Sequence, residues 1–486
     1  MEFVAKKKPR RSLRAMPPLR VSTLPLIAPG VARPAYDRER VRTGIVHLGV
    51  GGFHRSHQAM YIDRLLHAGH AAWGICGVGV LPHDRRMRDV MVAQDRLYTL
   101  VLKHTDGTFE PTVIGSIVEY LFAPDSVEAV IAKMTSPDTR IVTLTITEGG
   151  YDPDREPTAV FDIVVEALAR RRDQGTLPFT VLSCDNVIGN GDVARAAFAR
   201  AASRRDDALG RWVRDEVRFP NSMVDRITPA TTDDDRALAR NLIGLDDAWP
   251  VVAEPYAQWV IEDFDDRPPL EDVGVQIVSD VRPFEVMKLR ILNAGHQLLA
   301  YLGYLAGHRH VHEVVGDALF GRYLREFIDR EAMPTLAQVP GLAAPAYAAQ
   351  VVARFANPAV ADPLARLAVD GSDRIATFVV PVIKAQLERG GDIWRATLAV
   401  AAWARYLEGV DDAGQHIDRL DRRLADIAPL VRRQRTDPTA LLTRRDVFGD
   451  LIESSRFARE YAAALRSLQE RGASATLSDR LVTTPG

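Results

Sequence analysis

Four side chains that could carry acid–base chemistry lie within one short segment, residues 284–299. Lys288 could accept a proton, Asn293 could donate hydrogen bonds to an oxygen, and His296 and Glu285 could bind polar groups or relay protons. At about 100° per residue the segment forms a helix with these four groups gathered on one side. Leucines lie among them, so the helix is apolar almost all round, which predicts that it is buried.

Burial of a lysine beside a glutamate has two explanations. Such residues are rarely buried without a partner or a purpose. Glu285 and Lys288 are spaced i,i+3 and could form a structural ion pair. Alternatively, an apolar setting disfavours the lysine ammonium and lowers its pKa, so that Lys288 could act as a general base near neutral or mildly alkaline pH. The helix alone leaves both explanations open.

The bulk composition is that of an ordinary soluble protein with several domains. Its 486 residues exceed one core, and two or three domains are expected. Hydrophobic residues make up 47%, charged residues 26%, and the net charge is −2, which indicates neither a nucleic-acid nor a membrane partner. Cys76 and Cys184 lie in apolar runs, so we expect small buried residues in a reducing cytoplasm, not a disulfide or a metal site.

The first 35 residues differ from the rest in composition. Their basic residues are interrupted by prolines, and they comprise Lys6, Lys7, Lys8, Arg10, Arg11, Arg14 and Arg20. We expect residues 1–35 to be a disordered basic extension, with a weak tail for anionic surfaces as the alternative.

A glycine-rich turn follows the first strand-like run. Residues 43–48 precede the turn, a helical pattern follows at 57–66, and 73–80 form a second apolar run, which together predict the start of a parallel α/β unit. The turn consists of Gly49, Val50, Gly51 and Gly52. Such glycines let the backbone approach a pyrophosphate at a helix N-terminus. The G-x-G-x-x-G fingerprint is incomplete because His54 occupies the third glycine position, so the turn alone is weak evidence for dinucleotide binding.

Polar residues follow three of the predicted strands, where ligands bind in open parallel sheets. Asp84 follows the second strand and could accept hydrogen bonds from the adenosine ribose; it could also cap the helix after Pro82, and the two roles are compatible. Glu148 follows residues 140–147, and Asn186 follows residues 179–184. Further strands are predicted at 98–103 and 111–118, as a hairpin insertion, and at 275–279.

From residue 283 onward helical patterns dominate. They cover residues 284–305, 316–332, 345–356, 375–389, 394–408, 417–433 and 455–472. We therefore predict an α/β fold with a Rossmann-type dinucleotide-binding domain over residues 36–282 and a mainly α-helical domain over residues 283–486. Three histidines crowd together in the segment HRHVHE at 308–313, but without a spaced second half-site they predict a polar loop and not a zinc site.

Several motifs together resemble the polyol-specific long-chain dehydrogenases, the mannitol dehydrogenase family, over about residues 36–475. They are the segments at 47–59, 145–151, 183–186, 223–229, 354–358 and 370–372, and the K-x4-N-x2-H pattern that begins at Lys288. Seven matching segments are far more specific than the glycine turn alone.

The resemblance implies an NAD-dependent alcohol dehydrogenase without zinc, in which Lys288 is the general base. It also implies that Asn186 and Asn293 hold the substrate oxygen, that His296 binds and orients the substrate, and that Glu285 couples the lysine to solvent protons. The chemistry is self-consistent, because two amides aimed at one oxygen form a clamp for a developing alkoxide.

Further roles follow from the resemblance alone. Asp225, Arg366 and Arg374 fall at substrate-contacting positions, and Arg374 departs from the lysine of mannitol dehydrogenases, which changes a point donor into a planar one. The implied cofactor-binding residues are Gly49, Val50, Gly51, Gly52, Phe53, Asp84, Thr147 and Glu148. His83 replaces an acid found in at least one relative, so we expect NAD to be preferred over NADP, but less strictly.

The main expectation is oxidation of D-mannitol by NAD to D-fructose and NADH by a cytoplasmic monomer. Fructuronate reduction and arabinitol or sorbitol oxidation are alternatives within the family, and Arg366 or Arg374 could bind a uronate carboxylate. The Gly-Val-Gly-Gly-Phe turn favours a neutral polyol. A nucleotide-binding sensor that has lost catalysis is the alternative from another class, but it predicts erosion of the reacting groups, and these are present.

Overall fold

The computed structural model describes residues 16–146, 148–151 and 159–483. Its strands are β1 (Thr43–Leu48), β2 (Gly74–Gly79), β3 (Tyr98–Lys103), β4 (Phe109–Ile114), β5 (Ile117–Phe122), β6 (Ile141–Leu144), β7 (Thr180–Ser183), β8 (Ser222–Asp225), β9 (Val251–Ala253), β10 (Gln258–Glu262) and β11 (Gln276–Val278). Every residue of β1, β2, β6 and β7 is buried, as expected for strands covered on both faces by helices.

A five-stranded parallel sheet with the order β5-β2-β1-β6-β7 forms the centre of the N-terminal half. The order changes direction between β1 and β6, so the connections leaving these two strands diverge and open a crevice at their carboxyl ends. The predicted Rossmann-type fold is confirmed.

Two three-stranded sheets, β4-β3-β9 and β11-β10-β8, accompany the main sheet. The predicted hairpin exists, because β3 and β4 pair in antiparallel fashion. The predicted strand at 111–118 is wrong in extent: the chain leaves the hairpin after Ile114, and β5 then pairs with β2 as an edge strand of the main sheet. The turn is fixed by Asp63, whose carboxylate accepts a hydrogen bond from the Gly115 amide at 2.9 Å.

The helices of the N-terminal half are α1 (Gly52–Ser56), α2 (Gln58–His67), α3 (Arg85–Ala93), α4 (Val127–Thr135), α5 (Ala159–Asp173), α6 (Asn190–Arg205), α7 (Asp207–Glu216) and α8 (Asp233–Ile243). Those of the C-terminal half are α9 (Arg282–Lys288), α10 (Ala294–Leu305), α11 (Val311–Gly316), α12 (Ala318–Phe327), α13 (Ala344–Phe355), α14 (Leu364–Ala368), α15 (Gly371–Arg374), α16 (Val380–Glu388), α17 (Trp394–Tyr406), α18 (Leu424–Arg433), α19 (Arg445–Phe448) and α20 (Ser455–Thr483), which is kinked at Gly472. The predicted helix at 417–433 begins only at Leu424.

Three π-helical segments, Leu289–Asn293, Ile328–Ala332 and Ile375–Val379, interrupt helical runs of the C-terminal half. The last strand ends at Val278 and α9 begins at Arg282. The division at residues 282/283 stays a prediction, and these bounds agree with it.

The C-terminal half has its core around α10 and α17. Helix α17 is buried along its whole length and packs against α10 and α20. Complete burial agrees with the largely apolar sequence of α17. None of the described helices is both long and apolar enough to cross a membrane.

The expected disorder of residues 1–35 is wrong for residues 16–35. The side chain of Leu19 is fully buried, and it packs in a small cluster with Leu97, Val113, Ile243 and Leu245. The Leu19 amide donates to the Asp246 carbonyl at 2.8 Å. Burial of these apolar groups offsets the entropy of ordering the segment. Residues 1–15, which hold most of the basic residues, lie outside the described part of the chain.

Candidate active site

A cleft with about 1430 Å³ of empty space, part of it open to solvent, lies between the carboxyl ends of the parallel strands and the helices of the C-terminal half. It brings together most of the predicted site residues. Those lining it are Gly49, Gly51, Gly52, Phe53, Asn186, Asp225, Lys288, Asn293, His296, Arg366 and Arg374. Glu285 lines a smaller adjoining cavity, while Val50 and Asp84 lie outside both.

A π-turn places Lys288 and Asn293 in the same cleft. The predicted continuous α-helix is interrupted, because the π-helical segment Leu289–Asn293 separates α9, which ends at Lys288, from α10. Residues five apart point about 140° away from each other in an α-helix. A π-turn joins residues i and i+5 and therefore brings them to the same side. The π-turn therefore brings Lys288 and Asn293 closer together than the α-helical pattern predicted from the sequence, which places them at the two edges of the polar side.

The Lys288 amine is held by two oxygens from the N-terminal half. Its Nζ donates to Asn186 Oδ1 at 2.6 Å and to the Val224 carbonyl at 2.8 Å. Lys288 is buried, with 7% of its surface exposed, whereas Asn186 is exposed in the loop between β7 and α6. The amine thus joins the two halves by hydrogen bonds, and Lys288 lines the cleft.

Glu285 and Lys288 make hydrogen bonds to groups other than each other. One Glu285 oxygen accepts from the Gly189 amide at 3.1 Å, and the other is buried without a hydrogen-bond partner in the described chain. Burial raises the pKa of this carboxyl to about 7.

Asn293 and His296 each carry a buried polar atom that lacks a hydrogen-bond partner in the described structure, Asn293 Oδ1 and His296 Nε2. Such atoms are costly unless a ligand or water satisfies them. The His296 ring stacks on Phe355 with centroids 4.1 Å apart. Burial, and then the charge of Arg366, lower the pKa of His296 well below its ordinary value, so the imidazole is neutral.

The three predicted substrate-contacting residues differ in their hydrogen-bond partners within the protein. Asp225 is buried, and both of its oxygens accept hydrogen bonds from Arg354 at 2.8 Å. Arg366 is partly exposed and forms a bidentate pair with Asp362. Arg374 donates from Nε to the Val369 carbonyl at 2.8 Å. Arg354 had no role assigned from the sequence, although the motif at 354–358 contains it.

The glycine turn fits a dinucleotide phosphate. Gly49 has φ +95°, and a Cβ there would lie 2.5 Å from the Thr145 carbonyl oxygen, so only glycine is accommodated. A Cβ on Gly51 would meet no atom closer than 3.9 Å, which leaves its backbone open to the cleft at the start of α1. His54 is tolerated in the third glycine position because its ring stacks on His47 of β1, with centroids 3.4 Å apart.

Asp84 lies just beyond β2, as predicted. Its Oδ2 accepts from the amides of Val80 and Leu81, both at 2.9 Å, which turns the carboxylate towards the strand end. Asp84 also stands at the N-cap position of α3, but its carboxylate caps the preceding 3₁₀ turn, Pro82–Asp84, by accepting from the Leu81 amide, and makes no capping hydrogen bond to α3 itself. His83 Nε2 lies 3.6 Å from Asp84 Oδ1 and is largely exposed.

Two predicted cofactor residues receive no side-chain description. Thr147 lies outside the described residues, and only the backbone of Glu148 is described, in a 3₁₀ turn with Gly149–Tyr151 as its remainder. Cys76 and Cys184 are buried free thiols, which confirms their predicted burial. His310 pairs with Glu313 at 3.0 Å beside α11, and no group of three metal-binding side chains occurs among the described residues.

Two family profiles match the chain in succession. The profile for the mannitol dehydrogenase Rossmann domain matches residues 43–272, and that for the mannitol dehydrogenase C-terminal domain matches residues 280–469. Among curated proteins, mannitol 2-dehydrogenase of Phaeosphaeria nodorum is 42% identical, over 97% of this chain and 88% of that protein. Mannitol 2-dehydrogenase of Aspergillus fumigatus is also 42% identical, over 91% of this chain and 94% of its own.

Two solved structures share the whole architecture. The ternary complex of Pseudomonas fluorescens mannitol 2-dehydrogenase with NAD and D-mannitol is 42% identical, with a TM-score of 0.89 over 96% of this chain and all of that one. A D-sorbitol dehydrogenase in substrate-free form is 34% identical, with a TM-score of 0.85 over 95% of this chain and all of that one.

Proposed function

The chain belongs to the mannitol dehydrogenase family, and we propose that it oxidises D-mannitol to D-fructose with NAD. In this proposal Lys288 is the general base and no metal ion takes part. One observation carries the proposal. The Lys288 amine is hydrogen-bonded to Asn186 in a cleft that Asn293 and His296 also line. Within the described residues, Asn293 Oδ1 and His296 Nε2 are buried without a partner, so a polyol hydroxyl could donate to either, while the Asn293 amide N–H groups could donate to the reacting oxygen. A base, oxygen-binding amides and an orienting imidazole are what secondary-alcohol oxidation requires.

The neutral Lys288 amine removes the proton of the reacting hydroxyl. Its position supports this role, because Lys288 lines the cleft while two oxygens orient its amine. NAD, when bound, accepts the hydride from the carbinol carbon. A base close to the hydroxyl contributes about 10²–10⁴ to the rate of such a reaction.

Asn186 and Asn293 stabilise the alkoxide that develops as the proton leaves. Asn186 uses its Oδ1 to accept from Lys288, which leaves its amide N–H groups for the substrate oxygen. Asn293 comes from the opposite half of the chain and lines the same cleft. Donors fixed in advance from two elements stabilise the charge without reorganisation.

Glu285 takes the proton from Lys288 towards solvent. Both side chains line the smaller cavity of about 270 Å³, and one Glu285 oxygen is unpartnered there. A pKa of about 7 lets the carboxyl gain and lose a proton under working conditions. A water between the two groups would complete the path.

His296, Arg366 and Arg374 orient the polyol, and Asp225 shapes the same wall of the cleft. A neutral His296 can donate or accept at its unpartnered Nε2, which suits a hydroxyl. NAD is held by the glycine turn with Phe53, by Asp84 at the ribose, and by the region of Thr147 and Glu148, where the proposal rests on sequence similarity alone.

The proposed mechanism needs no metal ion, because the side chains in the cleft include a lysine that can act as the base. Lysine supplies the base that metal-bound water or alkoxide supplies elsewhere. Dialysis against a chelator should leave turnover unchanged. A loss of activity that Zn²⁺ restores would contradict this part of the proposal. Gel filtration at the monomer mass of 53.7 kDa would test the predicted monomer, while the cytoplasmic location stays a prediction.

Substrate identity is tested by a panel assay on the full chain. D-Mannitol, D-sorbitol and D-arabinitol are offered with NAD, and D-fructose and fructuronate with NADH, while NADH absorbance is followed. We expect the highest kcat/KM for D-mannitol and D-fructose. A higher value for fructuronate, with a KM that rises steeply with salt as charge screening predicts for Arg366 and Arg374, would establish the uronate alternative. Tight NADH binding without turnover of any substrate would establish a sensor.

A further inference from the structure

A buried arginine behind the cleft holds two carboxylates from the other half of the chain. Arg354 of α13 donates from Nη1 and Nη2 to the two oxygens of Asp225, each at 2.8 Å. It also donates from Nε and Nη2 to the two oxygens of Glu254, at 2.8 and 2.7 Å. Side-chain exposure is 6% or less for all three. Two bidentate pairs on one guanidinium fix its plane and both carboxylates at once.

The carboxylate oxygens of this cluster also accept hydrogen bonds from groups other than Arg354. Tyr347 donates its hydroxyl to Asp225 Oδ2 at 3.1 Å, and the Ile227 amide donates to Glu254 Oε1 at 2.6 Å. The guanidinium carbon of Arg354 lies 4.1 Å from the centroid of the Tyr256 ring. A fully satisfied buried network of this kind is rigid. It ties β8 and the loop after β9 to α13, across the junction of the two halves.

The cluster is connected to the reacting groups on both sides. Asp225 follows Val224, whose carbonyl accepts from Lys288 Nζ at 2.8 Å. Phe355 follows Arg354, and its ring stacks on His296 at 4.1 Å. The base and the orienting imidazole are therefore each one residue away from the Arg354–Asp225 pair.

A contribution to stability alone does not explain why three charged side chains are buried together in this cluster. Buried ion pairs are often no more stabilising than apolar residues of similar volume. Here two carboxylates share the Arg354 guanidinium, and the buried Arg226 lies beside Glu254, where it donates to the Glu254 carbonyl. Burial raises the pKa of Glu254 despite Arg354. Burial also tends to raise the pKa of Asp225. The charge of Arg354 outweighs this effect and lowers the pKa of Asp225, which therefore stays ionised.

We propose that Arg354 is a positioning residue for the reaction: by clamping Asp225 and Glu254 it sets the place of the Lys288 amine through Val224 and the plane of His296 through Phe355. Asp225 then acts chiefly as the anchor of this clamp. The inference rests on the proposed function, because it assigns Lys288 and His296 as the groups being positioned. A displacement of about 1 Å at reacting groups can cost on the order of 10²-fold in rate.

The test uses the full chain with R354K, which keeps the charge but lacks the planar fork that serves two carboxylates. R395K is the matched control: Arg395 is also fully buried and pairs with Glu331 and Glu326, but it does not line the cleft. The readouts are kcat and KM for D-mannitol, the Kd of NADH and Tm. We expect R354K to lower kcat by about 10–100-fold, with NADH affinity within twofold of wild type. R395K should lower Tm and leave kcat within twofold.

Y347F is a second variant that removes one hydroxyl from Asp225 and preserves volume, so it remains informative if R354K does not fold. We expect a smaller fall in kcat, about three- to tenfold, with little change in KM. An R354K or Y347F enzyme with wild-type kcat, or with a raised KM only, would overturn the clamp and make Asp225 a simple substrate ligand. Failure of the wild-type chain to oxidise D-mannitol would instead overturn the proposed function.

Discussion

Lys288 Nζ lies 2.6 Å from Asn186 Oδ1, although the two residues belong to different halves of the chain. The contact determines how the amide is used. Because Oδ1 accepts from the lysine, the amide N–H groups of Asn186 are directed elsewhere and can meet a substrate oxygen. The proposed base and one proposed oxyanion donor are thus a coupled pair, and a change to either should alter the other.

The two asparagines are expected to contribute mainly to the transition state. N186A and N293A should each lower kcat by about 10²–10³, as loss of an oxyanion donor does. KM for D-mannitol should change much less. Asn241, which is exposed on α8, provides the control, and N241A should leave kcat unchanged. Steady-state rates of N186A and N293A that match those of N241A would show that these amides do not touch the reacting oxygen.

Glu285 should give the protein a distinctive pH dependence of stability. Its pKa is raised from 4.5 to about 7 in the folded state. Between these values the folded protein binds more protons than the unfolded chain, so stability falls as pH rises. The free energy of unfolding of wild type relative to E285Q should therefore decrease by roughly 2–3 kcal/mol from pH 4.5 to pH 7. Denaturant titrations that give parallel pH curves for the two proteins would contradict a raised pKa.

His83 should determine how strictly NAD is preferred. Its side chain is 76% exposed and lies beside Asp84, where it places no negative charge near a 2′-phosphate. H83E adds that charge and should lower kcat/KM with NADP by about tenfold, while kcat/KM with NAD changes by less than about threefold. Equal NADP efficiencies in wild type and H83E would show that this position does not read the ribose substituent.

The parallel sheet and the helical half could be predicted from the sequence because buried parallel strands and buried helices leave apolar runs of characteristic length. The short strands β8, β9 and β10 left no such signal, since they are three to five residues long. The ordered structure of residues 16–35 was not predicted, because composition alone does not reveal that Leu19 packs in a buried cluster.

For the candidate site, the sequence allowed several residues to be predicted but not how they are arranged in space. Lys288, Asn293 and His296 could be found from their types and spacing. An α-helical wheel places Lys288 and Asn293 about 140° apart, at the two edges of the polar side, and the π-turn brings them closer together. Arg354 could not be identified as a clamp, because its partners Asp225 and Glu254 are at least 100 residues away in sequence. Long-range pairs of this kind become visible only in three dimensions.

Removal of the proposed base tests the central claim most directly. The measurement is NADH formation from D-mannitol at neutral pH by K288A, with NADH binding measured in parallel. K384A is the matched control, because Lys384 is a partly exposed lysine that pairs with Asp450 outside the cleft. We predict that K288A loses nearly all turnover, by about 10²–10⁴-fold or more, while its NADH affinity stays close to that of wild type and K384A is fully active. Robust oxidation of D-mannitol by K288A under these conditions would contradict Lys288 as the base.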